Sequence, residues 1–92
     1  MSMAETIRQK LAATFSPETL EVKDESHLHK GHVGAPEGGE SHFRLLIVAK
    51  AFEGQSRVAR QRAVNTALKD ELAGPVHALA MKTLTPEEAS KQ

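Results

Sequence analysis

The side chains in this sequence best able to do chemistry are its five histidines, a high number for a chain of 92 residues. Neutral imidazole is the commonest metal ligand and binds iron, zinc or copper without a neighbouring thiol. His27, His29 and His32 fall in the stretch 27–40, which also holds four glycines and a proline and so reads as a long loop. His42 opens one apolar run and His77 another. A loop between the first two strands can reach the start of a neighbouring strand, so a loop histidine could pair with His77. Alternation puts His77 on the face shared by Leu79 and Met81. Two imidazoles leave a tetrahedral site half filled, and the missing ligands would come from a partner. The plainer alternative makes His77 a partly buried imidazole bonded to a backbone carbonyl. The loop histidines would then be solvated, or would collect adventitious zinc or nickel. His42 fits a structural role across a hairpin.

Catalytic chemistry is harder to find. Asp24 and Glu25 could join a histidine in an acid–base pair. No nucleophile with its base, no phosphate-binding loop and no complete metal site accompanies them, so the chain is expected to act by binding, not as an enzyme. It has no cysteine, which excludes disulfides, thiolate metal sites and cysteine nucleophiles and fits a reducing cytoplasm. No stretch resembles a signal peptide and no apolar run approaches the roughly 18 residues of a membrane span. A cytoplasmic protein without membrane attachment is expected.

Charge is balanced overall, with twelve basic and twelve acidic residues, but unevenly placed. Between Gly54 and Lys69 every charged residue is basic: Arg57, Arg60, Arg62 and Lys69. Arginine forks match phosphate oxygens, so this helix is a candidate nucleic-acid contact; a solvated basic face is the ordinary alternative. The stretch Gly54-Gln55-Ser56-Arg57 lacks the second glycine of a Gly-x-x-Gly clamp on a nucleotide backbone.

These residues need elements to position them. Hydrophobic residues make up 39% and aromatics 3% of the chain, enough for one core built mainly of Leu, Ile, Val and Ala, and too little for two. A single domain over residues 1–92 is expected. Ala4, Ile7, Leu11 and Phe15 recur at helical spacing over residues 3–15, and Ser16-Pro17 ends that helix. Leu20 to Ser26 reads as a short strand. His42 to Phe52 reads as the strongest strand, with Phe43, Leu45, Ile47 and Ala49 on one face and Leu46, Val48 and Phe52 on the other; a strand apolar on both faces is normally central and covered on both sides. Ser56 could cap a helix carrying the stripe Val58, Val64, Ala67, Leu68 and Leu72, stopped by Gly74-Pro75. Val76 to Leu84 is a third strand, and Thr85-Pro86-Glu87-Glu88 opens a final short helix. The first two strands form an antiparallel hairpin, and the helical crossover makes the second and third parallel. The fold class is therefore α+β, with a three-stranded mixed sheet, its second strand in the middle, and helices packed on it.

The same residues carry a family resemblance. Asp24-Glu25-Ser26, Gly31-His32, Glu40-Ser41-His42-Phe43, Phe52-Glu53-Gly54, Arg60-Gln61-Arg62 and Val76-His77-Ala78-Leu79, in this order from about Ile7 to Glu88, resemble the BolA family. The resemblance implies an αββααβα fold akin to the second class of KH domains, with an extra helical turn near Ser56. It implies partnership with a monothiol glutaredoxin as a heterodimer, sharing a 2Fe–2S cluster that this chain would not hold tightly by itself; alone, the chain is expected to be a monomer, since aromatic residues are scarce. It also implies, as the alternative activity, DNA binding and transcriptional control of morphology and stress genes. Carried over residue by residue, the cluster ligands are His32 and His77. The chain departs from the family at Gln61, where an Arg-His-Arg triplet is usual, so no role passes to that position.

Overall fold

The computed structural model describes residues 2–25, 42–74, 76 and 78–91. Its described elements are α1 (Met3–Phe15), β1 (Thr19–Asp24), β2 (His42–Val48), a 3-10 turn (Lys50–Phe52), α2 (Arg57–Ala67), α3 (Lys69–Ala73), β3 (Ala78–Leu84) and α4 (Pro86–Ser90). The strands form one sheet in the order β1-β2-β3, with β1 antiparallel and β3 parallel to the central β2. The order αββααβα and the mixed sheet are those expected.

Helices α1, α2 and α4 each begin with a side-chain cap. The Ser2 hydroxyl accepts the Glu5 N–H at 3.2 Å, and α1 closes with Ser16 in the left-handed region (φ 46°), its N–H donated to Ala12 O. Ser56 caps α2 by accepting the Ala59 N–H at 3.1 Å. The extra turn implied near Ser56 lies earlier, at Lys50–Phe52, and the long helix is divided at Leu68 (φ −108°, ψ 23°) into α2 and α3. Gly54, at φ 78°, supplies the turn before the cap.

Ile7 and Leu11 of α1, Val64 of α2, Leu68 at the junction of α2 and α3, and Phe43, Leu45 and Ile47 of β2 form the core, with Leu20, Val22, Leu79 and Met81 packed against it. Three expectations are corrected here. The central strand ends at Val48, because Ala49 gives its N–H to Leu84 O and the chain then turns in the 3-10 geometry. The turn folds Phe52 back into the same core, fully buried, with its ring 5.1 Å from that of Phe15. The second face of the sheet is also not buried along its length: it presents Glu21, Lys23, Arg44, Ala80 and Lys82 to solvent around a half-buried Leu46, and is buried at Val48. The buried line of α2 is Arg60 and Val64, continued by Leu68 at its C-cap, each one turn apart, while Val58 is 56% exposed and outside the stripe assigned to it.

Candidate functional site

At one end of the sheet, three chain segments come together. Glu25, just after β1, donates its N–H to His42 O at 2.8 Å, and His42 is the register partner of Ala78 across β2 and β3. The described residues that border 26–41 and 77 therefore occupy one row. His42 is half-buried at the start of β2. The other four histidines, His27, His29, His32 and His77, lie outside the described residues, so the expected pairing of His32 with His77 does too. Among the described residues no group of three or more His, Cys, Asp or Glu could hold a metal ion.

The approach to β3 is held from below. Glu71, the buried acid of α3, accepts the N–H groups of Gly74 and Val76 on its carbonyl. Its carboxylate receives Lys10 Nζ of α1 at 2.6 Å. That hydrogen bond, opposed by desolvation and assisted by the charges of Glu71 and Asp70, raises the Lys10 pKa above its ordinary 10.5. Glu71 Oε1 has no hydrogen-bond partner among the described residues. Nothing in the sequence marked this pair, whose members lie 61 positions apart.

The basic helix divides its arginines. Arg57, Arg62 and Lys69 are exposed. Arg60 fits neither a phosphate-facing nor a solvated reading, because it is 8% exposed. Its Nε donates to Gln55 O at 3.0 Å, Nη1 to Thr83 O at 3.1 Å and to Glu88 Oε1 at 2.6 Å, and Nη2 to Glu88 Oε2 at 3.4 Å. The guanidinium also lies over the Phe52 ring, 5.9 Å from its centroid. Glu88 meanwhile completes a capping box with Thr85, accepting its N–H at 2.8 Å. The hydrogen bonds from Arg60 and then from the Thr85 backbone lower the Glu88 pKa from 4.5 to about 2. Glu88 was legible as a cap residue; its ion pair was not.

Comparison with known proteins decides the lineage. Residues 11–88 match the BolA family, described as BolA-like protein. The chain belongs to the BolA family. It is 49% identical to mouse BolA-like protein 1 over 82 residues, covering 89% of this chain and 57% of that protein, so it spans little more than half the length of that relative. It is 45% identical to the DNA-binding transcriptional regulator BolA of Vibrio cholerae, covering 91% of this chain and 76% of that one. Its structure matches the BolA domain of SufE1 from Arabidopsis thaliana with a TM-score of 0.85 and 43% identity, over 96% of each chain. No described helix is long and apolar enough to cross a membrane.

Proposed function

We propose that this BolA-family chain is an adaptor that binds a monothiol glutaredoxin in the cytoplasm and shares a 2Fe–2S cluster with it, His32 and His77 supplying nitrogen ligands. The observation that carries the reading is the single row formed by Glu25, His42 and Ala78, which tethers the borders of both histidine-bearing stretches at one end of the sheet. The donor chemistry agrees. With no cysteine, the chain offers imidazoles and no thiolate, and thus only part of an iron–sulfur coordination set. The partner's cysteine and glutathione would complete it. Imidazole is neutral and a weaker donor to the cluster than thiolate, so such a site suits transfer or sensing more than permanent storage.

Anaerobic co-expression with a monothiol glutaredoxin, followed by absorption and circular dichroism of the purified complex, tests this directly. The expected result is a mixed-ligand spectrum that His77→Ala abolishes while the domain stays folded. A complex whose spectrum is the same with and without His77 would count against the assignment.

A second reading, DNA-binding regulation, is favoured by the name of the Vibrio cholerae relative and by the exposed Arg57, Arg62 and Lys69. Arg60 contributes to it only if its contact with Glu88 is broken.

A further inference from the structure

The cleft beside α2 holds a second arrangement of charge, at the end of the sheet opposite His42. Gln55, Arg57, Arg60, Thr83, Leu84 and Glu88 line a depression of about 350 Å³. Arg57 is exposed and makes no ion pair among the described residues. Arg60 stands one turn further along the same helix, buried, with its fork held from two directions. Two of its bonds go to backbone carbonyls, Gln55 O and Thr83 O, and do not involve Glu88. Removing the Glu88 carboxylate would leave the guanidinium fixed by those carbonyls, with Nη2 and part of Nη1 turned to the cleft. A guanidinium fork held in place beside a second, free arginine is the donor set that a phosphate group takes.

The occupant of that donor set in the closed molecule is the chain's own acid. Glu88 sits on a five-residue helix that buries none of its residues. The attachments of α4 to the body are therefore few, and the Arg60–Glu88 ion pair is the strongest polar one among the described residues, at 2.6 Å. The Glu88 side chain itself remains 45% exposed, open to competition from solvent anions.

We infer that the cleft between Arg57 and Arg60 is a phosphate-binding site, closed in the resting molecule by Glu88 of α4 acting as an internal stand-in for the anion. The ligand is a phosphate group, either of a small molecule or of a polynucleotide backbone. The inference is independent of the cluster reading, since it uses no histidine and no partner protein.

The test is a titration of the full chain, followed by amide and arginine side-chain NMR signals, with inorganic phosphate in one arm and a short DNA duplex in the other. Glu88→Gln should bind inorganic phosphate about tenfold more tightly than the unaltered protein, the order expected for removing one nearby like charge. The shifted signals should centre on Arg57 and Arg60. Arg57→Ala in the Glu88→Gln background should remove the gain; Arg57 is solvent-exposed, so the fold should tolerate that change. Equal affinity with and without the Glu88 carboxylate overturns the inference, as does a gain that persists without Arg57. A matching gain for the duplex assigns the site to nucleic-acid phosphate, and a gain for inorganic phosphate alone assigns it to a small phosphorylated ligand. Should Glu88→Gln fail to fold, Glu88→Asp keeps the charge but shortens its reach, and must give an intermediate gain; no gain there is equally fatal.

Discussion

Arg60 shows how much one side chain can change meaning between sequence and structure. In the sequence it is one of four like charges on a helix, indistinguishable from Arg57 or Arg62. In the fold it lies on the line Arg60, Val64, Leu68 that faces the core, and it joins the turn before α2 to the end of β3 and to α4. The spacing by fours was legible; what it meant was not, because the partner acid lies 28 residues away. The ion pair predicts a pH dependence of stability. The Glu88 pKa is lowered by folding, from 4.5 to about 2, so the carboxylate binds protons less readily in the native state than in the unfolded one. Its stabilising contribution is present in full above pH 4.5 and is lost as the pH falls from there towards about 2. Chemical denaturation at pH 7 and near pH 3 should therefore show Glu88→Gln less stable than the unaltered protein at neutral pH, with the difference shrinking in acid. A difference that stays constant across that interval would mean that Glu88 has an ordinary pKa in the folded chain.

At the level of elements, the sequence was most informative where capping and periodicity spoke together. Helix α1 keeps the boundaries read from its apolar spacing, and the box formed by Thr85 and Glu88 opens α4 as expected. The central strand was read too long because apolar residues continue to Phe52, and a local pattern cannot distinguish a strand from a 3-10 turn that returns a ring to the same core. Coverage of the sheet was misjudged for a related reason. Leu46 and Val48 made the second face look buried, while the charges that expose it, Glu21, Lys23 and Lys82, lie on the neighbouring strands and meet Arg44 and Leu46 only through the register. One boundary carries a measurable strain. Ser16 ends α1 at φ 46°, a region costly for a residue with a Cβ and free for glycine. Ser16→Gly should raise stability by up to about 1 kcal/mol, part of the relief being offset by the greater freedom of glycine in the unfolded chain. Thermal unfolding would register this as a rise in Tm of a few degrees, and a fall would mean that the Ser16 side chain contributes more than its backbone costs.

Across the described residues, burial is concentrated on the helix-covered side of the sheet and exposure on most of the other. Strand β2 is hydrogen-bonded on both edges, and Phe43, Leu45, Ile47 and Val48 are all buried; it is the part whose amides can open only when the core does. Helix α4 is the opposite case, with no buried residue and an anchorage resting on Glu88 and the Thr85 cap. Native-state hydrogen exchange should therefore find two classes. The amides of Phe43 to Val48 should exchange at the free energy of global unfolding, of order 5–15 kcal/mol for a domain of this kind. The Ala89 and Lys91 amides, bonded to Thr85 O and Glu88 O, should exchange through a local opening several kcal/mol cheaper. In Glu88→Gln that local opening should become easier still, with β2 changed only by the overall loss of stability. The measurement bears on the phosphate site as well, since a cleft closed by α4 can admit an anion only if α4 lets go without unfolding the sheet. If Ala89 and Lys91 were as protected as β2, α4 would be an integral part of the core unit, and Glu88 a permanent structural contact with no gating role.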